Sequence, residues 1–303
     1  MKQITGENTV IIDKVSKTFN GIMAVNSISF DVRPGEIFGL IGPNGAGKTT
    51  TIRMMMDVIK PDSGNVYILG ERLNEHTKNR IGYLPEERGL YRKLTVIDSI
   101  IYLGKLKGVD IHSIKNRAEI LLDRVGMVPH KSKKIEELSK GMGQSIQFLV
   151  AIVHDPQLVI LDEPFAGLDP VNTEIIKEII LELKDQGKTI ILSTHRMNEI
   201  EELCDRIFMI NKGQSVLYGE LLDIKSRYKN NSILLRIQGE LPELQGISSI
   251  NKYKDHIELF CGANTSPHEI VSQLIGFGIK IDKFEISTPS LHDIFIQVAG
   301  GHE

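Results

Sequence analysis

The stretch EIFGLIGPNGAGKTTTIRMMM, residues 36–56, decides the fold class because a glycine-rich turn separates two different patterns. Residues 36–41 form a short apolar run that is typical of a buried strand. Residues 48–60 have the pattern of a helix, and we expect that helix to end before Pro61. Between them, GPNGAGKT (42–49) matches the spacing G-x-x-x-x-G-K-[ST]. A strand, this turn and a helix, in that order, predict a loop that binds phosphate groups.

The backbone of this loop explains the chemistry that we expect of it. Glycines allow successive N–H groups to point at phosphate oxygens, and the start of the helix adds partial positive charge. We expect Lys48 to reach the β- and γ-phosphates of a nucleotide and the Thr49 hydroxyl to bind Mg²⁺. The alternative is a chance glycine-rich turn, which the flanking strand and helix argue against. The predicted nucleotide-contacting residues of the loop are Gly42, Pro43, Asn44, Gly45, Ala46, Gly47, Lys48, Thr49 and Thr50.

Apolar runs alternate with helical patterns as far as about residue 220. Further strands are predicted at 81–84, 158–161 and 189–192, a mostly helical stretch at about 94–154, and a closing hairpin at 205–219. This alternation predicts an α/β fold with a parallel sheet and helices on its faces. Two domains are expected, residues 1–220 and a smaller α+β domain at 221–303. Its predicted order is strand, strand, helix, strand, helix.

Two carboxylates follow the apolar strand in LVILDEP (158–164). A buried carboxylate is unfavourable unless a cation faces it, and in a nucleotide site that cation is Mg²⁺. Adjacent side chains on an extended backbone point in opposite directions, so the two acids should have different tasks. We assign Asp162 to the Mg²⁺ shell through water, and Glu163 to the attacking water as general base or orienting group. A capping pair for the next loop is the alternative.

Two more polar residues follow predicted strands. His195 lies just past the strand in TIILSTHR, and Glu86 follows the strand in IGYLPEER. Ligands of open parallel sheets bind outside the carboxyl ends of the strands, so we expect both residues to converge on the phosphate-binding loop. His195 could then donate a hydrogen bond to the γ-phosphate, although a lone histidine is more often structural.

Composition limits the class of protein. The chain has 303 residues, of which 41% are hydrophobic and 25% charged, with a net charge of -3. Proteins that act mainly on nucleic acid are usually basic, so a nucleic-acid partner is not expected. Cys204 and Cys261 fit no metal spacing and are expected to be reduced thiols. No apolar run approaches the roughly 18 residues of a membrane span, and the N-terminus lacks a signal-peptide pattern. We therefore expect a cytoplasmic protein that reaches a membrane only through a partner.

The ordered set GPNGAGKT, LSKGM (138–142), ILDEP (160–164), GLD (167–169) and STH (193–195) resembles the ATPase subunits of ABC transporters. In detail the chain is similar to exporter ATPases such as the bacterial sodium-extrusion subunit, and some members of that subgroup handle drugs or antibiotics. The resemblance implies a P-loop NTPase cassette with a mixed sheet core and a helical subdomain. The tail containing SLHDIFI resembles the extra C-terminal module of that subgroup.

The resemblance also implies roles for individual residues. Ser139 and Gly141 would contact the γ-phosphate of ATP held by the loop of a second copy, whereas the residues alone leave Ser139 as a helix cap. Asp169 would belong to the loop that communicates between two sites, or cap the next helix. Phe19 falls where an aromatic ring stacks on adenine, with core packing as the alternative. Glu86 would join Thr49 and Asp162 around Mg²⁺.

Several positions depart from the usual family pattern. Lys140 replaces a glycine and Met142 a glutamine in LSKGM, but Ser139 and Gly141 remain. Glu86 stands where most members have glutamine, so its charge could alter coupling. Phe19 replaces a tyrosine, which should matter little for stacking.

The resemblance implies an ATP-driven export motor with Mg²⁺ as cofactor. Two copies would close head to tail around two ATP molecules and drive a separate polytopic membrane permease. The competing class is a soluble ABC-type nucleotide switch that acts on ribosomes or DNA. One cassette and a mildly acidic charge argue against that class. In the C-terminal domain His256, His268 and His292 are scattered, so no metal site is expected there.

Overall fold

In this computed structural model the chain divides into two compact units, Met1–Leu221 and Leu222–Glu303. The strands of the first unit are β1 (Val10–Phe19), β2 (Ile22–Val32), β3 (Ile37–Ile41), β4 (Ser63–Ile68), β5 (Ile81–Leu84), β6 (Leu158–Asp162), β7 (Thr189–Thr194), β8 (Arg206–Asn211) and β9 (Gln214–Glu220). Its helices are α1 (Lys48–Met55), α2 (Glu75–Asn79), α3 (Val96–Leu106), α4 (Ile111–Arg124), α5 (Lys140–Ile152), α6 (Pro170–Asp185) and α7 (Met197–Leu203). The structure describes residues 8–87, 89–228, 232–262, 265–287 and 289–300.

A six-stranded mixed sheet in the order β5-β6-β7-β3-β8-β9 forms the centre of the first unit. The pairings from β5 to β8 are parallel, and only the β8–β9 hairpin is antiparallel. Every residue of β3, β6 and β7 is buried. Strands covered on both faces can be wholly apolar, which explains the uninterrupted apolar runs in the sequence. The predicted mixed-sheet cassette is confirmed.

A second, antiparallel sheet in the order β2-β1-β4 was not predicted. Buried and exposed side chains do not alternate regularly along its strands, because the β1–β2 register shifts between Ile12 and Val15. Lys14 and Ser27, at φ +48° and +47°, break the extended backbone there. Irregular strands of this kind leave no clear period of two in the sequence.

The first helix is shorter than predicted. The sequence pattern places its end before Pro61, but α1 ends at Met55. Asp57 has φ +57°, a left-handed conformation that cannot continue a helix. The pattern of residues 169–187 predicts a helix with Asp169 as its cap, Pro170 at its first position and Gly187 at its end. The structure confirms it, because α6 begins at Pro170, is capped by Asp169 and is followed by Gly187 at φ +80°.

The helical region lies between β5 and β6 in the chain and contains α3, α4 and α5, with 3₁₀ turns at Val128–His130 and Ile135–Glu137. Gly104 lets α3 approach α4 closely, since an added Cβ would lie 3.1 Å from Ile114. In the part of the chain that the structure describes, none of the helices is both long and apolar enough to cross a membrane.

The second unit is a four-stranded antiparallel sheet in the order β11-β12-β10-β13. Its elements are α8 (Leu221–Arg227), whose first residue belongs to the first unit, β10 (Ser232–Gln238), β11 (Ile247–Lys252), β12 (Ile257–Cys261), α9 (Pro267–Gly276), β13 (Lys280–Ser287) and α10 (Leu291–Gly300). Ile270 and Leu274 of α9 join the core formed by β10 and β12. The prediction missed β11, an edge strand whose side chains are almost all exposed. The polar stretch LLDIKSRYKNN (221–231) predicts a helix or a linker, and α8 forms its first part, whereas residues 229–231 lie outside the described residues.

The contact between β5 and α5 leaves no room for a side chain at Gly82. A Cβ there would lie 2.1 Å from the carbonyl oxygen of Ala151, near the end of α5. We therefore predict that Gly82→Ala lowers the free energy of unfolding by about 1–3 kcal/mol, measured by urea denaturation. Gly143→Ala is the control, because no atom lies within 4 Å of an added Cβ there. It should be neutral or stabilising by about 0.5–1 kcal/mol. Equal destabilisation by both substitutions would contradict this packing.

Candidate functional site

The carboxyl ends of parallel strands β3, β5, β6 and β7 meet at one edge of the central sheet. The loop 42–47 follows β3, Glu86 follows β5, Asp162 and Glu163 lie at the end of β6, and His195 follows β7. The predicted convergence of polar groups is therefore confirmed, because parallel pairing brings these strand ends together. A cavity of about 190 Å³ lies there, lined by residues 44–50 together with Ala24, Glu86, Asp162 and Glu163.

The loop between β3 and α1 curls tightly. Gly47, the residue before α1, has φ +113°, and a Cβ on it would lie 2.7 Å from the carbonyl oxygen of Ala24. Only glycine fits this close contact with β2. The contact also brings Ala24 to the cavity, a residue that the sequence did not indicate because β2 was not predicted.

Lys48 is buried at the base of the cavity. Its Nζ donates hydrogen bonds to the carbonyl oxygens of Gly42 at 2.7 Å and Pro43 at 3.2 Å. Burial lowers the pKa of the Lys48 ammonium, and the negative charges of Glu163, Asp162 and Glu86 oppose that shift. Lys48 is thus a cation at the phosphate-binding loop, and three carboxylates lie near it.

Asp162 is fully buried, and only one of its two carboxylate oxygens accepts a hydrogen bond. Its Oδ1 accepts a hydrogen bond from the Ser193 hydroxyl at 2.8 Å, whereas its Oδ2 has no hydrogen-bond partner. Burial raises the pKa of the Asp162 carboxyl, and the nearby hydroxyls of Ser193 and Thr49 oppose the shift. A buried oxygen without a partner is costly, which favours a ligand that would complete its coordination.

Glu163 does not have the extended backbone that we assumed for it. Its φ is +51°, so the chain turns sharply after β6, and both acids line the same cavity. The assumption that they point in opposite directions is therefore wrong. Their partners still differ, because the Oε2 of Glu163 accepts from the Thr194 hydroxyl at 3.1 Å while Asp162 pairs with Ser193.

His195 is in direct contact with Glu163. The Oε1 of Glu163 accepts the backbone N–H of His195 at 3.0 Å and lies 2.7 Å from its ring Nδ1. The imidazole is half exposed, whereas the Glu163 side chain is 12% exposed. Ser193 and Thr194 are the last two residues of β7, and their contacts show that the end of this strand supports the two acids. The sequence did not indicate this role for their hydroxyls.

Glu86, which was also expected at this edge, is exposed and lies beside the start of α1. The Thr49 hydroxyl donates to its Oε2 at 3.3 Å. In the described ranges no three His, Cys, Asp or Glu side chains are grouped closely enough to hold a metal ion by themselves. The oxygens of Thr49, Asp162 and Glu86 fit Mg²⁺ only together with phosphate oxygens and water, which is the usual way that Mg²⁺ is held.

The LSKGM segment lies at the start of α5, away from this cavity. Ser139 is the N-cap of α5, and its hydroxyl accepts from the backbone N–H of Met142 at 3.2 Å. Gly141 also has a reason inside the chain, because a Cβ there would lie 2.9 Å from the carbonyl oxygen of Gly167. Capping and close packing therefore explain part of this composition without an anion. They do not explain Gly143, which has open space around it.

Asp169 caps α6, as the sequence predicted. Its Oδ1 accepts the backbone N–H of Asn172 at 2.9 Å, and its Oδ2 accepts from the Asn172 side chain at 2.6 Å. These hydrogen bonds, that of the backbone first, lower the pKa of the Asp169 carboxyl.

Phe19 is not a core residue, so the core-packing interpretation is wrong. It is 43% exposed at the end of β1, and Lys17 Nζ lies 5.6 Å from the centroid of its ring. The ring does not line the cavity, but β1 pairs there with β2, the strand that brings Ala24 to the cavity.

Because Asp162 is buried with an unpaired oxygen, we predict that replacing it stabilises the ligand-free protein. Asp162→Asn replaces a buried charge, and we expect it to raise the free energy of unfolding of the ligand-free protein by about 1–3 kcal/mol at neutral pH. Urea denaturation of both proteins measures the difference. Asp123→Asn, at an exposed position in α4, is the matched control and should change stability by less than about 0.5 kcal/mol.

The stability difference between wild type and Asp162→Asn should depend on pH. Because burial raises the pKa of Asp162 above 3.8, the folded protein binds this proton more tightly than the unfolded chain does. The contribution of Asp162 to stability therefore increases as pH falls through the raised pKa towards 3.8. Wild type should gain stability relative to Asp162→Asn over that interval. A constant difference between the two proteins would contradict the raised pKa.

Comparison with known proteins identifies the family. Residues 25–166 match the family model of the ABC transporter, and residues 219–299 match the C-terminal domain of ATP-binding proteins like DrrA1-3. The chain is 42% identical to the ABC transporter ATP-binding protein YhaQ of Bacillus subtilis, over 95% of this chain and 98% of that protein. It is 33% identical to the linearmycin resistance ATP-binding protein LnrL of the same organism, over 95% and 97%. A solved ATP-binding subunit of an ABC transporter matches with a TM-score of 0.69 and 31% identity, over 73% of this chain and 93% of that one. The chain belongs to the ABC transporter ATP-binding proteins, and its cassette is an ATPase.

Proposed function

We propose that this protein is the motor subunit of an exporter, hydrolysing Mg²⁺·ATP to drive a separate polytopic membrane permease. The observation that carries the proposal is that Lys48, Asp162 and Glu163 line one cavity at the sheet edge together with the phosphate-binding loop. His195 does not line that cavity but contacts Glu163 beside it. This is a set of groups suited to binding a triphosphate and directing water at its terminal phosphorus.

Each of these residues has a separate role in the proposed hydrolysis. Backbone N–H groups of the loop 42–50, except at Pro43, and the Lys48 ammonium bind the phosphates, and Phe19 stacks on adenine. Glu163 orients the attacking water and accepts its proton, while His195, held by Glu163, donates a hydrogen bond to the γ-phosphate. Thr49, Asp162 and Glu86 would hold Mg²⁺, which when bound neutralises charge on the phosphate oxygens.

A second copy of the chain completes the site in this proposal. Ser139 and Gly141 do not line the cavity of their own chain, and Ser139 is exposed at the N-terminal end of α5. Backbone N–H groups at the start of a helix suit an anion, such as the γ-phosphate held by the partner's loop. Two chains arranged head to tail would then form two equivalent composite sites.

The permease would bind the helical region. A groove of about 280 Å³ runs beside the Glu86 loop, where Tyr83, Leu103, Leu106 and Val150 provide a mainly apolar surface. Leu106 is 60% exposed there. An apolar groove between α3 and α5 suits a short helix of a membrane partner, which would place the protein at the cytoplasmic face of the membrane.

The transported substance is an ion such as sodium, or a drug. The similarity to the linearmycin resistance protein favours a drug or antibiotic, whereas the sequence resemblance first suggested sodium extrusion. A nucleotide switch acting on ribosomes or DNA is the competing class. The net charge of -3 argues against it, since nucleic-acid binding needs a basic surface.

The role of Glu163 gives the most direct test of hydrolysis. We predict that Glu163→Gln lowers kcat for ATP hydrolysis by about 10²–10⁴-fold, because the amide cannot accept the proton of the attacking water. Calorimetry should show that Mg²⁺·ATP binding is retained, and sedimentation should show a nucleotide-dependent dimer.

The control for this substitution is Glu178→Gln, on the exposed surface of α6, where the glutamate pairs only distantly with Arg124 at 3.8 Å. Its turnover should stay within about twofold of wild type, as expected for a surface change. Wild-type turnover in Glu163→Gln would remove the proposed role of Glu163.

A further inference from the structure

Gln147 of α5 contacts the loop that carries Glu86. Its side-chain Nε2 donates hydrogen bonds to the carbonyl oxygens of Pro85 and Glu87, both at 3.1 Å. These two carbonyls flank Glu86 on either side. A glutamine amide has two N–H donors, so both contacts can form at once. The Gln147 side chain is only 4% exposed, and it lines the groove beside the Glu86 loop.

Gln144, one helical turn earlier, makes the equivalent contact with the other acidic loop. Its Nε2 donates to the carbonyl oxygens of Glu163 and Pro164, again both at 3.1 Å. Residues three apart lie on the same face of a helix. One face of α5 therefore holds both loops that place carboxylates in the cavity.

The helix that carries these amides is itself fixed against the sheet. Gly82 of β5 lies against the backbone of Ala151, and the His154 ring Nε2 lies 3.1 Å from the carbonyl oxygen of Ile81. Glu86, in contrast, is exposed on a loop that has left the sheet. Its side chain accepts a hydrogen bond from the Thr49 hydroxyl at 3.3 Å. The position of the Glu86 carboxylate therefore depends on how its backbone is held.

We propose that Gln147 is a positioning residue that fixes the Glu86 carboxylate beside Thr49, where it supports the Mg²⁺ of bound ATP. The inference rests on the proposed function, because it assumes that Glu86 faces Mg²⁺. Gln147 does not touch the nucleotide and acts only through the backbone on both sides of Glu86. Residues that orient metal-binding groups in this way commonly change metal affinity when they are replaced.

The test compares ATP binding with and without Mg²⁺ in a double-mutant cycle. Gln147→Met keeps the length and packing of the side chain but removes both donors. On a Glu163→Gln background that prevents turnover, calorimetry gives the factor by which Mg²⁺ strengthens ATP binding. Gln147→Met should reduce that factor about 10-fold or more. In a protein that already carries Glu86→Ala, adding Gln147→Met should change the factor by which Mg²⁺ strengthens ATP binding by less than about twofold.

Gln144→Met is the matched control, because it removes the same two donors from the same helix face but leaves the Glu86 loop in place. Any effect that it has should be equally large with Glu86 and with Glu86→Ala. Amide hydrogen exchange gives a second readout. A peptide spanning residues 84–87 should exchange faster in Gln147→Met, whereas it should be unchanged in Gln144→Met.

An equal effect of Gln147→Met in both Glu86 backgrounds, or no effect at all, would overturn the inference. A failure of the proposed function would look different. In that case Glu163→Gln would keep wild-type turnover, or Glu86→Ala alone would leave the Mg²⁺ dependence of ATP binding unchanged. The second outcome would also overturn the role of Gln147 in supporting Mg²⁺, even if the exchange data showed that it holds the loop.

Discussion

Parallel strand pairing gathers negatively charged side chains at one edge of the central sheet, and the rest of the site depends on this arrangement. The ends of β5 and β6 bring carboxylates to the same edge as the Lys48 ammonium. Asp162 is buried there with one oxygen unpaired, an arrangement that costs folding free energy in the absence of a ligand. A triphosphate with Mg²⁺ would bring a cation to the carboxylates and an anion to Lys48. The folding free energy that the buried Asp162 costs is therefore what a site for that ligand requires.

The main sheet and the site edge could be predicted because strong physical rules govern them. Buried parallel strands are uninterrupted apolar runs, and their carboxyl ends must meet, so Lys48, Asp162 and His195 were placed together from sequence alone. The orientation of Glu163 could not be predicted, since φ +51° breaks the strand geometry that was assumed. The β2-β1-β4 sheet was missed for a similar reason, because its bulges remove the alternating pattern.

Other contacts leave no trace in a sequence. Gln147 acts on backbone carbonyls, which every residue possesses, so no motif connects it with Glu86. The LSKGM segment presents the opposite problem, because its pattern has two physical explanations. Gly141 is required for close packing against Gly167, and Ser139 caps α5, whether or not a phosphate binds there. Only an experiment with two chains can separate packing from a role in a composite site.

Complementation between two inactive variants provides that experiment. Lys48→Ala and Ser139→Ala should each lose most ATPase activity alone. In a mixed dimer, the intact loop of one chain would face the intact LSKGM segment of the other, which restores one complete site. An equal mixture should then recover about a quarter of wild-type turnover, since half of the dimers carry one of two sites. A mixture no more active than its separate components would contradict the account.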